Sequence, residues 1–266
     1  MERSLFDLKP PCRWIGCRLH VYRELDSTNL VAEQLAARGA PEGTLVVADA
    51  QRAGRGRMGR SFFSPAGCSL YLSLLLRPQM PPEHVHQYVF AGALAVADCI
   101  SELLPSAVPI EIKWPNDVLL AGRKVSGINL PVQLEGERVI SAVLGIGINV
   151  NLAAEEFPEE LRPLATSLQI ASGGVVDRVS FAESLLLHLE AGIERLRREG
   201  FGGVLDGWKK YFRMRGERVR VGGPGVSHEI EGVAEGIDPE GALLVRSDQS
   251  LERILAGDVT LLEREA

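Results

Sequence analysis

The sequence predicts an α+β fold: a mixed sheet with helices on one side, followed by a small β-barrel. Two observations carry this. Apolar runs at 44–51 (TLVVADAQ), 69–76 (SLYLSLLL) and 138–151 (RVISAVLGIGINVN) read as strands, and they are interleaved with helical spacing such as LVAEQLAAR at 30–38. After Arg213 the texture changes to short strands parted by Gly or Asp-Pro turns: GERVRVGG, HEIEGVAEGI, GALLVRS and LERILAGDVTLLE. That spacing suggests a barrel of about 50 residues. The expected units are therefore 1–213 and 214–266.

In chain order, residues 17–25 alternate enough for a strand. Asp26 or Ser27 can cap the helix that follows, and Gly39 can end it. Residues 83–104 read as a long, mostly buried helix stopped by Pro105, and 110–117 (IEIKWPND) as a strand ending at a Pro turn. Segments 124–134 and 138–151 read as a hairpin joined by Glu-Gly-Glu. Residues 152–179 are loop-rich, 180–198 form an amphipathic helix, and a short helix covers 202–212.

The totals exclude several function classes. A chain of 266 residues, 45% hydrophobic, can bury the core of one large domain, or of one large and one small. A net charge of −6 argues against nonspecific nucleic-acid binding. No apolar run reaches the roughly 18 residues that span a bilayer, and the N-terminus lacks a secretory apolar core. Cys12, Cys17, Cys68 and Cys99 have neither metal-ligand spacing nor the density of a disulfide scaffold, so a bacterial-type cytoplasmic protein with reduced thiols is the default.

Against that acidic background, residues 52–60 carry Arg52, Arg55, Arg57 and Arg60 among Gly54, Gly56 and Gly59. The glycines match the dinucleotide fingerprint letter for letter, but a strand rather than a helix follows and no acidic residue stands about 20 positions on. No Gly-Lys-Ser/Thr is present for a P-loop. What remains is a mobile loop whose guanidinium groups suit carboxylate or phosphate. A solvated turn or an RG-type nucleic-acid contact are the alternatives.

Lys113-Trp114-Pro115-Asn116-Asp117 ends a strand; its Asn and Asp either bond their own backbone or rim a site. Lys124 precedes an apolar strand, where it either snorkels or sets a point charge beside an anion. Gly127, Gly145 and Gly147 leave room for close approach of a flat ligand. The five histidines, His20, His84, His86, His188 and His228, are scattered and read as structural, and no Ser-His-Asp or Cys-His set is convincing.

Together, D-S-T-N at 26–29, Q-R-A-G-R-G-R-M-G-R at 51–60, F-S-P at 63–65, K-W-P-N-D-V at 113–118, G-R-K-V-S-G-I at 122–128 and G-I-G-I-N-V at 145–150 resemble the biotin protein ligase family. The tail, with G-D-V at 257–259, resembles that family's SH3-like barrel. The resemblance covers about residues 20–262. It implies a class II synthetase-like catalytic domain that joins biotin and ATP into biotinyl-5′-AMP. Biotin is then passed to a lysine of a carrier domain of the acetyl-CoA carboxylase type.

Carried over by residue, the resemblance implies that Ser27, Thr28 and Gln51 hold the ureido ring, with Asn29, Gly56 and Gly127 also on the biotin side. Arg55, Arg57 and Lys124 are the catalytic cations, with Lys124 bridging carboxylate and α-phosphate. Arg60, Phe62, Asn116 and Asn149 belong to the adenylate side, and Asp117 to a Mg²⁺ site. Three positions depart from the family pattern: Phe62 replaces a usual Trp, Asn129 a usual apolar residue, and Pro131 a common Glu.

No helix-turn-helix of some 60 residues precedes the core in this sequence, which implies a ligase without DNA binding. A homodimer by sheet extension is a further expectation. The rival readings are a non-catalytic biotin sensor and a lipoate-type ligase; D-S-T-N favours a ureido group, which lipoate lacks.

Overall fold

Strand β3, Ser69–Leu76, is buried along its whole length. Burial on both faces needs a layer on each side, and the fold supplies them. The computed structural model describes residues 4–223, 226, 228–248 and 250–262. The first strands are β1 (Arg18–Leu25) and β2 (Thr44–Gln51), joined through helix α1 (Thr28–Ala37). Helix α2 (Gln87–Leu103) leads to β4 (Ile110–Lys113), β5 (Asp117–Leu120), β6 (Arg123–Asn129), β7 (Val132–Glu135) and β8 (Arg138–Asn149). Helices α3 (Leu168–Ser172), α4 (Arg178–Glu199) and α5 (Phe201–Lys209) follow.

These strands form one sheet in the order β1-β2-β3-β8-β6-β5-β4, with β7 also on β8; β1 and β2 are parallel and the other pairs antiparallel. Alternate residues of β2 and β3 divide between two apolar clusters. Leu45, Val47, Leu70, Leu72 and Leu74 pack with α2 and α4, whereas Val46, Ala48 and Leu75 pack with Ala32 and Ala36 of α1. The expected helices on one side are thus α2, α4 and α5, while α1 lies across the other face.

Several expected boundaries shift for local reasons. The helix expected at 83–104 begins at Gln87, because Pro81 and Pro82 open a separate 3₁₀ turn at Pro82–His84. The strand expected over 110–117 stops at Lys113, and the expected Pro turn, Trp114–Asn116, joins it to β5, an unforeseen second arm; the Trp114–Pro115 bond is cis. Strand 124–134 breaks at Leu130 and Pro131, where proline lacks a ladder N–H, and both fragments pair with β8. Ser27 is the α1 N-cap, with no side-chain capping bond.

The tail makes a five-stranded antiparallel sheet in the order β12-β11-β10-β9-β13. Its strands are β9 (Arg218–Gly222), β10 (Ile230–Ile237), β11 (Leu243–Arg246), β12 (Leu251–Ile254) and β13 (Asp258–Leu261). The single strand expected over 251–263 is two strands turned at Gly257, whose φ of +146° suits glycine; residue 263 lies outside the described residues. The barrel meets the first unit through Trp114, whose buried Nε1 donates to the Gly241 carbonyl at 2.9 Å. Among the described residues no helix is long and apolar enough to cross a membrane.

Candidate active site

Cross-strand register lines up one row of residues on a single face of the sheet: Tyr71 on β3 opposite Gly147 on β8, then Gly127 on β6, Asp117 on β5 and Lys113 on β4. A second row runs from Ser73 through Gly145 to Asn129. The intervening residues, Leu72, Ile146 and Ile128, point into the main core. The glycines matter because side chains already stand over them. A Cβ on Gly147 would come within 2.7 Å of the Phe62 ring, and one on Gly145 within 2.1 Å of Asn29 Oδ1.

Lys124 reaches this face through a β-bulge. It lies three positions before Gly127, an odd offset that would send the two side chains to opposite faces of a regular strand. The register between β5 and β6 shifts at Val118/Leu119, and Val125 turns into the core instead. Lys124 Nζ is then 2.7 Å from Asp117 Oδ1, over Gly127. Its backbone is clamped by bonds with Leu164 O (2.8 Å) and Thr166 N (2.9 Å).

The face lines a cleft, partly open to solvent, with two chemically distinct ends. One end is polar and neutral. The Thr28 amide and hydroxyl donate to Gln51 Oε1 at 2.9 and 3.1 Å, and Gln51 Nε2 donates to Ser64 Oγ at 3.0 Å. Ser73 Oγ donates to Asn29 Oδ1 at 2.6 Å and lies 2.8 Å from Thr28 Oγ1. Ser27, Thr28, Asn29 and Gln51 all line this end.

The other end is cationic. Arg57 Nη1 donates to Asn116 Oδ1 at 2.8 Å, and Asn116 Nδ2 donates to Asp117 Oδ1 at 3.1 Å. Burial lowers the pKa of Arg57 and nearby Arg60 adds to that, while Asp117 opposes it. Burial likewise lowers the pKa of Lys113, with Asp117 opposing and Lys124 and Arg60 adding. Among the described residues only Lys124 pairs with the Asp117 carboxylate; Arg57 and Lys113 feel its charge from beyond ion-pair distance. An excess of buried positive charge of this kind suits a multiply charged anion.

The 52–63 loop roofs the cavity as a small hairpin, with Phe62 N bonded to Gly54 O and Gly56 N to Arg60 O. Met58 takes a left-handed φ of 55° at its tip. Phe62 packs edge-on against Tyr71, and Asn129 Nδ2 donates to Gly56 O at 3.3 Å. Arg55, Gly56, Arg57 and Phe62 line the cavity together with Asn116, Lys124 and Gly127.

Other expected residues fall elsewhere. Arg52 turns outward onto Asp26, 2.8 Å away, and Arg60 pairs with Asp258 at the barrel. Asn149 does not reach the cavity: its buried amide donates to Thr166 O at 3.0 Å, bracing the segment that clamps Lys124. Asp117, expected at a Mg²⁺ site, faces the cationic end. Its carboxylate is held by Lys124 and Asn116, and no group of three His, Cys, Asp or Glu among the described residues could hold a metal ion.

Ser64, Ser73, Tyr71 and Lys113 were missed in the sequence. The signal for two of them was present in SLYLSLLL, where Tyr71 and Ser73 alternate with leucines.

Comparison with known proteins agrees with this geometry. The model of the Biotin/lipoate A/B protein ligase family matches residues 21–149, and that of the Biotin protein ligase C terminal domain matches 216–262. The Bifunctional ligase/repressor BirA of Bacillus subtilis is 39% identical, over 93% of this chain and 75% of its own. The Biotin–[acetyl-CoA-carboxylase] ligase of Paracoccus denitrificans is 37% identical, over 88% of this chain and 96% of its own. A solved biotin protein ligase from Aquifex aeolicus, in complex with biotin and ATP, superposes with a TM-score of 0.78 at 30% identity, covering 93% of this chain and 100% of that one. With its sheet and its barrel matched by relatives of this kind over most of its length, the chain belongs to the biotin protein ligase family.

Proposed function

We propose that this protein is an ATP-dependent biotin protein ligase that forms biotinyl-5′-AMP and passes biotin to a lysine of an acetyl-CoA carboxylase-type carrier domain. The observation that carries the reading is the cavity's polarity: a neutral hydrogen-bonding end, a glycine floor, and a cationic end around Lys124 and Arg57. Biotin has the complementary order of a polar ureido ring, an apolar body and a carboxylate.

In this reading Ser27, Thr28 and Gln51 hold the ureido ring, with Asn29 behind them bonded to Ser73. Gly127, Gly145 and Gly147 floor the slot and Phe62 covers it. The carboxylate and the α-phosphate repel each other on approach, and Lys124, Arg57 and Arg55 offset that repulsion where negative charge concentrates. Asn116 orients Arg57. Arg60 ties the loop to the barrel rather than touching the nucleotide, and Asn149 supports Lys124 indirectly. The closed loop keeps water from the mixed anhydride. In the second step the acceptor lysine of the carrier attacks the acyl carbon and AMP leaves, so the enzyme needs no nucleophile of its own.

The division at 213/214 belongs to the same proposal; it falls between α5 and β9. So does a homodimer by sheet extension, for which β7 offers an edge with Val132 and Leu134 exposed. The test of the function is pyrophosphate release, expected only when biotin and ATP are both present. Biotin binding without pyrophosphate would replace the ligase with a sensor, and release driven by lipoate would replace biotin. Sedimentation of the purified chain decides the dimer.

A further inference from the structure

Lys113 ends the row that runs Tyr71, Gly147, Gly127, Asp117 across the sheet. Residues opposite one another in a ladder share a face, so its side chain rises on the side of Gly127 and Lys124. It is half-buried. Yet, among the described residues, it has no carboxylate within ion-pair distance and no side-chain hydrogen bond; the near carboxylate, Asp117, is taken by Lys124. Its other charged neighbours, Lys124 and Arg60, repel it. A half-buried ammonium left unpaired among like charges is unfavourable unless an anion joins it. Snorkelling to solvent is the plain alternative.

The order of chemistry across the sheet gives that anion a direction. The neutral polar end lies at β3 and α1, the glycine floor at β8 and β6, Lys124 and Asp117 at β6 and β5, and Lys113 beyond them on β4. β4 is two strand spacings, about 10 Å, from β6. Displacement at phosphorus is in line, so the leaving group departs on the far side of the α-phosphorus from the attacking carboxylate. With the carboxylate approaching from the polar end, that side is β4.

Resting on the ligase reading above, we infer that Lys113 is a further substrate-contacting cation, which receives the β- and γ-phosphates of ATP and stabilises them as they leave as pyrophosphate. A biotin carboxylate oxygen forms a bond to the α-phosphorus. The bond from that phosphorus to the α,β-bridging oxygen breaks, and its electron pair leaves on pyrophosphate. No proton or redox partner is needed. Lys124 stays with the carboxylate and α-phosphate, and the two lysines divide the charge between them.

The test uses the full chain and its Lys113→Met and Lys113→Arg variants. Biotin-dependent exchange of labelled inorganic pyrophosphate into ATP should fall roughly ten- to a hundredfold in K113M, the range for losing a hydrogen bond to a charged group. The loss should appear in the KM for ATP and in the pyrophosphate concentration needed for exchange. K113R should recover most of it. Biotin binding without nucleotide, and transfer from added biotinyl-5′-AMP to a carrier domain, should stay within about twofold.

Exchange at the normal rate in K113M overturns the assignment and makes Lys113 a snorkelling strand-end lysine. Equal loss of biotin binding or of transfer overturns it as general damage to the site. Should the unaltered chain show no biotin-dependent exchange, the ligase reading itself fails, an outcome distinct from failure in the variant alone.

Discussion

Ile146 and Gly147 are neighbours on β8, and their positions face opposite sides of the same sheet. Ile146 lies in the main core beside Leu72 and Ile128, its cross-strand neighbours. Gly147 lies under the ring of Phe62, where even a Cβ would clash. On the core face, large apolar side chains fill the space to α2 and α4. On the site face the same strands offer glycine, serine, tyrosine, asparagine, aspartate and lysine; Phe62, Asn29 and Lys124 stand over the glycines and line the cavity with them. Over residues 144–148, this strand therefore sends Leu144, Ile146 and Ile148 to the core and turns Gly145 and Gly147 to the site. Substitutions on the two faces should separate stability from chemistry.

The widest separation is expected at Lys124. Replacing it with Ala should cut adenylate formation by about a thousandfold or more, the scale for removing a preorganised charge from a developing one. Biotin affinity should fall far less, because Thr28 and Gln51 remain paired at the other end. Pyrophosphate release and calorimetric biotin binding measure the two. A variant that still forms adenylate at a near-normal rate would remove Lys124 from the chemistry.

Next in size is the adjacent pair itself. Ile146→Ala should cost roughly 2–5 kcal/mol of stability through lost burial and a residual cavity, while the folded fraction keeps its rate per molecule. Gly147→Val should do the reverse. It displaces Phe62 and slows adenylation at least tenfold, yet it places a good strand former in a strand, at a stability cost of about 1 kcal/mol or less. Chemical denaturation and pyrophosphate assays on both variants would show crossed effects. If both lost stability alike, the two faces would not be separable.

Much of this division was legible in the sequence, and the exceptions have physical causes. The order of strands and helices followed from periodicity, and the cations from a basic loop in an acidic chain. The bulge between β5 and β6 was not legible, because a register shift leaves no mark in composition; without it Lys124 would lie on the core face. β5 hid behind the Trp114–Asn116 turn, since DVLL is too short to stand out by pattern. Asn149, a site residue by motif, turns its Nδ2 to the Thr166 carbonyl, a contact the motif does not announce. Asn129, one of the departures from the family pattern, lines the cavity and bonds the Gly56 carbonyl of the roof.

The roof offers a smaller test. Arg57 bonds Asn116, and the loop is held besides by Asn129 and by Arg60 on Asp258. Arg57→Gly should leave adenylate formation partly intact, because Lys124 remains, while biotinyl-5′-AMP escapes about tenfold faster, the low end of the range for losing one bond to a charged group. Adenylate recovered in the filtrate after a single turnover measures it. Release equal to or slower than that of the unaltered chain would show that Arg57 does not seal the cavity.

The least effect is expected where the core side holds a charge of its own. Glu190 is buried on α4, and it accepts backbone N–H bonds from Arg13, Trp14 and Ile15 at 3.1, 2.9 and 3.3 Å, pinning the N-terminal segment. Burial pushes its pKa up, but those bonds and Arg13 outweigh burial and hold it below the ordinary 4.5. Burial and the Glu190 charge together push the Cys12 thiol up to about 12. Lys113 and Glu190 thus show the two fates of a buried charge: one lacks partners and awaits an anion, the other has its partners supplied by the fold.

A carboxyl whose folded pKa is depressed contributes stability above its unfolded value, and the contribution is lost as pH falls through the folded value. In the unaltered chain this part of the stability should hold at neutral pH and decline from about pH 4.5 downward. Glu190→Gln should cost about 1–2 kcal/mol at pH 7 and flatten that decline, with adenylation per folded molecule unchanged. A variant as stable as the parent at pH 7, or one with the same acid profile, would mean that the three backbone bonds do not depend on the charge.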